Sequence, residues 1–498
     1  LAARVDALPF AQTPALERTR DGAWTVRVTA DDGRAIYAHS RVNPLAEARA
    51  LVARLPAEDT SAFLLAGLGL GYHVTALTER GEQPLVVVVE PDLGLLKAAL
   101  AVTDLTELLR EHRLVILTSA DRAALHTRLE RVNTDLMLGL RFVTPPTADR
   151  CHADVHAQVR ALLLDFIAYG KMQLVTLLRN ARLTARNVAM NLPAYLRNPG
   201  VEVLRNRAAG YPAIVVGAGP SLARNIDQLG QWRGRAVVIA VQTVLQQLLA
   251  RGVPPHFVTS LDFHDISANF FHGVGDFGET ILVAEPKATP LVIDAFPGRK
   301  HLVQHPLVSD LLCDAAPPRD SLRSGTTVAH LSYYLAEYLG CDPIIFLGQD
   351  LSFTEGLYYA PGLPIERVWL PELNRFHTVE MKHWERIVRA RGILRRVTDI
   401  HGRPAFTDDQ MFTYAEQFMA DFAQSTRRLV HACEGGMALA GMEYLTLRAA
   451  GERYCTRDLP RDLFALPPAT DATPLVARAL DELDARLGEL AELRTIAG

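Results

Sequence analysis

Cysteine is sparse and never locally paired: Cys151, Cys313, Cys341, Cys433 and Cys455 are scattered, with no CxxC among them. That pattern offers no zinc site and suits a reducing compartment. Long apolar runs are also missing. None approaches the roughly 18 residues that read as a membrane span, and the N-terminal stretch has no leader-like apolar block. The expectation is a cytoplasmic protein without a membrane span. An excess of basic charge is lacking too: a net charge of −4 and a pI of about 6.5 argue against a nucleic-acid partner. What is present is ordinary globular composition, 49% hydrophobic and 22% charged, enough to build real cores. At 498 residues the chain has room for two to four domains.

The chain is organised around Ala213-Ile-Val-Val-Gly-Ala-Gly-Pro-Ser-Leu222. A β-branched run, a glycine pair, Pro220 and Ser221 read as strand, tight turn and helix start. Gly217 and Gly219 permit the turn and a close backbone approach, and Pro220 suits a first helical turn. Ser221 adds a hydroxyl beside free N–H groups, so the stretch reads as an anion site, most naturally for a nucleotide phosphate. It is not a P-loop, because no Gly-Lys-Ser/Thr follows. It also departs from a dinucleotide fingerprint: Leu222 holds the third glycine position, and the next strand, Ala236 to Val241, ends in Gln242.

Downstream, Phe257 to Asp262 reads as a strand with a carboxylate at its end, and Thr280 to Glu285 as another. Ser324-Gly325-Thr326-Thr327 opens an apolar helix through Tyr338, and Cys341 to Gly348 is a buried strand running into Gln349 and Asp350. In a doubly wound sheet, ligands sit outside the carboxyl ends of the strands, so these ends converge on one edge. Asp262 is suited to bind a ribose, to hold Mg²⁺ through phosphates or to act as a general base. Lys382 to Arg396 is rich in arginine and reads as a solvated helix face.

The first 150 residues carry an independent pattern. Alternation around Asp31-Asp-Gly-Arg predicts a hairpin. Ser61 to Ala66 reads as a strand, Gly67-Leu-Gly-Leu-Gly71 as a second glycine loop, and Pro84 to Val89 as a strand ending in Glu90. This has the outline of a Rossmann-type nucleoside site whose carboxylate would accept ribose hydroxyls. Its spacing is nearer to a methyltransferase than to a dehydrogenase, but with no methyl-transfer signature beyond it the reading favours a structural unit. Val155 to Leu196 predicts one or two long helices. Near the C-terminus, Thr473-Pro474 opens a helix with Val476, Leu480, Leu483, Leu487 and Leu490 as an apolar stripe. The predicted architecture is α/β: an N-terminal α/β unit (1–150), a helical bridge (151–208), a Rossmann-like central catalytic domain (209–405) and a helical C-terminal portion (406–498).

GAGPSL, the strand ending in Ser260-Leu-Asp262, the Ser324-Gly-Thr-Thr helix start and Ile344-Ile-Phe-Leu-Gly-Gln-Asp-Leu351 resemble the DUF115 family. That family includes the motility accessory factor (Maf) flagellin glycosyltransferases and the MptE-like 6-hydroxymethylpterin diphosphokinases. The GAGPSL stretch is also similar to the nucleotide loop of sialyltransferases that use CMP-sugars. Gln242 and Tyr358-Tyr359-Ala360 depart from the flagellin-modifying pattern, which leaves donor sugar and acceptor open. The resemblance implies a transferase with a nucleotide-sugar donor, CMP-linked in the favoured case, and a flagellin-like or other surface protein as acceptor. Gly217, Gly219, Pro220, Ser221, Asn225, Gln242, Ser324, Gly325, Thr326 and Gln349 would then bind the nucleotide, with Asp262 and Asp350 as catalytic candidates. The alternatives are a Mg-ATP-dependent pyrophosphokinase and a non-catalytic nucleotide-binding scaffold.

Overall fold

The computed structural model describes residues 1–56, 60–80, 84–323, 325–465 and 471–497; Ser324 lies outside them. Two compact units divide the chain, Leu1–Arg179 and Asn180–Gly498.

The first unit begins with an antiparallel sheet of β1 (Leu16–Arg18), β2 (Trp24–Thr29) and β3 (Ala35–Tyr37). Gly33 turns the predicted hairpin in the left-handed region (φ +81°), and its N–H donates to the Ala30 carbonyl. A parallel sheet follows, made of β4 (Ala62–Ala66), β5 (Leu85–Val89), β6 (Leu114–Leu117) and β7 (Leu140–Val143) in the order β6-β5-β4-β7. Every residue of β5 is buried, which explains its unbroken leucine–valine run. β4 and β5 form where the sequence pattern predicts strands, whereas β6 and β7 are strands that no expectation covered.

Ala153–Arg197 forms one 45-residue helix. In the second unit its side chains have a specific task. Buried Asn187 donates to the carbonyls of Phe263 (2.9 Å) and Lys287 (3.1 Å), and buried Asn191 to those of Pro286 (2.8 Å) and Ala288 (2.7 Å).

The second unit is a doubly wound α/β fold of Rossmann-like type. Its strands are β8 (Ala213–Val216), β9 (Val237–Val241), β10 (Phe257–Ser260), β11 (Ile281–Ala284), β12 (Lys300–Leu302) and β13 (Ile344–Leu347). A separate antiparallel pair follows, β14 (Leu394–Thr398) with β15 (Pro404–Asp408), and then β16 (Leu429–His431) and β17 (Glu443–Tyr444). The eight-stranded sheet is parallel throughout, in the order β12-β11-β10-β9-β8-β13-β16-β17. Asn187 and Asn191 thus hold the segments that follow β10 and β11.

The helix Val328–Tyr338 starts from Thr327, whose hydroxyl accepts from the His330 N–H. It buries Tyr333 against Phe346 of β13, where the helix Asp409–Gln424 adds Phe418 and Phe422. His330 stacks on Phe418 at 3.7 Å, so the cluster is continuous.

Three expectations need correction. GAGPSL does not start an α-helix. It leads into two 3₁₀ segments, Pro220–Arg224 and Ile226–Gln231. Asn225 (φ −137°) breaks the helical path between them and its side chain bonds the Ala432 carbonyl instead. The basic segment is not one helix face: the helix Val379–Arg389 ends before Arg395 and Arg396, which lie on β14. The portion expected to be helical (406–498) is interrupted: residues 434–446 are loop and a two-residue strand, where Glu434, Gly436 and Gly441 take positive φ. The C-terminal helix Thr473–Ala497 uses only part of its stripe. Val476 and Leu483 pack against the buried cluster that contains Leu312, whereas Leu480, Leu487 and Leu490 are exposed.

Phe418 is fully buried and touches His330, Tyr333, Phe346 and Phe422. Phe418→Ala is expected to cost about 3–5 kcal/mol, read as a lowered urea midpoint of the second unit's transition. A change within about 0.5 kcal/mol, as at surface sites, would contradict this packing.

Candidate functional site

From β8 the chain steps outward through β9 to β12, then returns to the other flank of β8 as β13. The strand order therefore reverses between β8 and β13, and the loops after these two strands face each other at the carboxyl edge. This switch point is where such folds open a ligand crevice. The two loops are the GAGPSL stretch and Gly348-Gln-Asp-Leu-Ser352.

Their backbones nearly touch. Gly217 donates to the Leu347 carbonyl and Gly219 to the Gly348 carbonyl, both at 2.7 Å. A Cβ on Gly219 would fall 2.4 Å from Asp350 Oδ1; one on Gly217 would fall 2.6 Å from the Gly348 carbonyl and 2.9 Å from Gln349 Oε1. Loop-to-loop approach is therefore enough to require both glycines.

Asp350 is the keystone of the contact. Its carboxylate accepts the Ser221 N–H at 3.0 Å and the Ser221 hydroxyl, and both residues are buried. Burial raises the Asp350 pKa above its ordinary value, while the Ser221 bonds favour the charged form. The donors that the sequence reading assigned to a phosphate are thus already engaged by an internal carboxylate. Behind Asp350, its carbonyl accepts the Met437 N–H at 2.7 Å, and a Cβ on Gly436 would meet the Asp350 Cα at 2.5 Å. Asn225 bonds the Ala432 carbonyl (3.0 Å) and Glu434 (3.4 Å), and Arg224 reaches the Glu434 carbonyl and Glu355. Nothing in the local sequence near 432–437 marked it as a partner of GAGPSL, apart from its Glu-Gly-Gly turn.

A second cluster forms at the ends of β9 and β10. Gln242 is fully buried and donates to Asp262 Oδ2 (2.5 Å) and to Ser267 Oγ (3.1 Å), while Ser260 donates to Gln242 Oε1 (2.7 Å). Burial raises the Asp262 pKa, opposed by the nearby His264 and Lys287 charges and by the Ser267 and Gln242 bonds. Asp262 is not fully enclosed, unlike Asp350. Tyr359 lies within electrostatic reach of Asp262 and of Arg386, whose guanidinium stacks on Tyr358 at 3.9 Å. The next residue, Ala360, donates to the Ala218 carbonyl at 2.9 Å. The Tyr358–Ala360 segment so links the glycine loop with the Asp262 cluster.

Gly217, Gly219, Pro220, Ser221, Asn225, Gln349 and Asp350 therefore form one constellation, and Gln242 with Asp262 a second one joined to it through Tyr359 and Ala360. Thr326 bonds Gln417, and Gly325 packs against His330 and Tyr334 rather than joining either constellation through a hydrogen bond. Tyr359, Arg386, Ser267 and Glu434 were not singled out as site residues from sequence. Only the arginine density of 382–396 hinted at one of them. Among the described residues no group of three His, Cys, Asp or Glu side chains is arranged to hold a metal, and no helix is long and apolar enough to cross a membrane.

The fold is that of a Rossmann-like α/β protein whose strand order reverses between β8 and β13. A family model described as 6-hydroxymethylpterin diphosphokinase MptE-like matches residues 186–356, and one described as the glycosyltransferase Maf N-terminal domain matches residues 33–132. The chain belongs to this MptE-like/Maf family. It is 31% identical over 224 residues to an uncharacterized protein of Treponema pallidum (strain Nichols), covering 43% of this chain and 72% of that one. The solved structure of a Maf glycosyltransferase from Magnetospirillum magneticum AMB-1 shares the fold at a TM-score of 0.54 and 18% identity, over 97% of this chain and 75% of the other.

Asp350→Ala would leave the buried Ser221 N–H and hydroxyl without their acceptor, at about 1–3 kcal/mol for each group. Gly219→Ala would force the two loops apart. Both variants are expected to melt earlier than the parent protein, and an unchanged melting temperature in either would contradict the loop clamp described here.

Proposed function

We propose that this protein is a glycosyltransferase that takes a sugar from a nucleotide donor, a CMP-linked nonulosonic acid in the favoured case, and passes it to a hydroxyl of a protein acceptor. Family membership supports a transferase of this kind. The observation that carries the reading is Asp262, a largely buried carboxylate at the carboxyl end of β10, oriented by Gln242 on the same sheet edge as the GAGPSL loop. The raised pKa brings its basicity nearer to what proton acceptance at neutral pH requires.

In this reading the nucleotide lies over the Gly217–Asn225 loop with Gln349 at its edge, and Asp350 keeps that loop in shape without touching substrate. Gln242 fixes the Asp262 carboxylate. The acceptor oxygen attacks the anomeric carbon, forming the new C–O bond. The bond from that carbon to the donor phosphate breaks, and the nucleotide leaves with the electron pair. The acceptor proton passes to Asp262. Arg386, beside Tyr359, supplies positive charge toward the donor phosphate or carboxylate. Thr326 has no part here, since its hydroxyl is committed to Gln417. A flagellin-like or other surface protein, modified in the cytoplasm, is the proposed acceptor.

A second reading has an observation of its own: the segment matched by the diphosphokinase-type model, 186–356, contains both loops and Asp262. That chemistry needs Mg²⁺ on the phosphates, which typically takes one or two carboxylates and keeps several waters. Asp262 fits that demand, because Gln242 and Ser267 both bond its Oδ2 oxygen.

Melting curves with CMP, CDP, UDP and ATP, each with Mg²⁺ or with EDTA, separate the readings. A ligand at about 100 times its Kd stabilises by about 2.7 kcal/mol. The glycosyltransferase reading expects stabilisation by CMP that survives EDTA, and stabilisation only by Mg-ATP would replace it with the pyrophosphokinase. Nucleotide binding without turnover of any donor would favour a scaffold.

Asp262→Asn is expected to lower kcat by about 10²–10⁴ with little change in KM. Proton acceptance needs the ionised form, so activity is expected to fall as pH drops through the raised Asp262 pKa. That acid limb should lie above the usual Asp value of about 3.9 and be absent from the residual activity of the Asn variant. A parent profile flat down to that value would remove Asp262 from the proton transfer.

A further inference from the structure

The first unit repeats the geometry of a ligand site at a smaller scale. Its sheet steps from β4 to β5 to β6 and returns to the other flank of β4 as β7, so the order reverses beside β4. At the carboxyl ends of these strands lies a cavity of about 500 Å³, within the range of small-molecule sites. Gly67 and Gly69 line it from the loop after β4, Glu90 from the end of β5 and Thr147 from the segment after β7; the His39 and His73 imidazoles line it as well. A second cavity of about 300 Å³ also has His39, His73 and Thr147 in its wall.

The glycine loop is not a phosphate cradle. Gly67 donates to the Val89 carbonyl, Leu68 to Glu90 (3.0 Å), Leu70 to His39 Nε2 (2.7 Å) and Gly71 to the Leu68 carbonyl. The one arginine in the lining, Arg27, is tied to Glu17 and the Tyr37 hydroxyl. The recognition elements are instead neutral or acceptor-only. Glu90 is 2% exposed, and its carboxylate oxygens accept backbone N–H groups, from Leu68 at Oε2 and from Asp92 at Oε1 (3.0 Å), with the Gly69 N–H also favouring the charged form. Each oxygen of an ionised carboxylate can accept a further hydrogen bond, so the pair suits two neighbouring hydroxyls. His39 Nδ1 and His73 Nε2 are buried and take no hydrogen bond from the described residues, and burial keeps both rings neutral, with pKa values near 3 and 4. Neutral imidazole nitrogens suit the donors and acceptors of a heterocyclic base.

We propose that this cavity binds a ribonucleoside moiety without phosphates, its vicinal 2′ and 3′ hydroxyls on Glu90 and its base against His39 and His73. The site belongs to the first unit and is independent of the transferase reading above.

The test is calorimetric titration of the full chain with adenosine, guanosine, cytidine and uridine, and with the 2′,3′-dideoxy form of whichever binds. One ribonucleoside should bind, its dideoxy form at least tenfold more weakly. Glu90→Gln should weaken the ribonucleoside about tenfold, and Thr147→Trp, which fills the cavity and leaves the Glu90 bonds intact, should abolish binding. Ser221→Ala should leave it unchanged. Melting curves of the Glu90 and Thr147 variants report whether the unit still folds.

Burial lifts the Glu90 pKa to about 7, with the Leu68 and Asp92 N–H groups opposing. The titratable groups around it are Asp92, His39, His73, Cys151, His152 and His156, with Arg27 also in the lining. Because the ionised form accepts both hydroxyls, affinity should rise about tenfold from pH 6 to pH 8 and stay flat in Glu90→Gln. Absence of binding by all four nucleosides, equal binding of the dideoxy form, retention in Thr147→Trp or loss in Ser221→Ala would each overturn the proposal.

Discussion

The second unit depends on one buried contact, the Asp350 carboxylate on the Ser221 N–H and hydroxyl. A carboxylate removed from water is costly unless it is hydrogen-bonded, so Asp350 constrains everything around it. Gly217 and Gly219 must lack side chains for the β13 loop to come close, and Gly436 must lack one for the segment before Met437 to cross behind. The edge of the sheet where its strand order reverses becomes a rigid clasp rather than an open glycine loop.

Against this clasp stands a second carboxylate in a different setting. Asp262 also sits just past the end of a parallel strand, yet it keeps some exposure and is oriented by Gln242. Two acids on equivalent positions of one sheet edge thus acquire different work, one structural and one suited to proton transfer, because their surroundings differ. The long helix contributes at the same edge. Asn187 and Asn191 tie down the backbone after β10 and β11, and this holds the residue next to Asp262 in place without a ligand.

The first unit uses the same device. Its glycine loop after β4 gives the Leu68 N–H to Glu90, as the loop after β8 gives the Ser221 N–H to Asp350. In both units an acid from the neighbouring strand occupies a donor that a phosphate would otherwise use. What distinguishes the first unit is the cavity left beside its acid and the two neutral imidazoles that line it.

Local pattern was sufficient for much of this chain. Strand runs such as Leu85–Val89 and Ile344–Leu347 are apolar because both sheet faces are covered, and turn residues bracket them, so each could be read where it stands. The Asp31–Arg34 hairpin, the Thr327 helix start and the clustering of acids at strand ends were legible for the same reason. What followed GAGPSL was not: a helix and a pair of 3₁₀ turns begin alike, and Asn225 chose between them through Ala432, more than two hundred residues away. Likewise no local signal says that Ser221 faces Asp350, that Thr326 turns to Gln417, or that Ala360 bonds Ala218 while Tyr359 comes within electrostatic reach of Asp262. Sequence by itself determined strands such as β4, β5, β8 and β13, the glycine turns and the acids at their ends, since these follow from side-chain period and backbone freedom. Only the tertiary structure decided which donors are already taken and which acid keeps some exposure, because burial and hydrogen-bond partners arise between segments far apart in the chain.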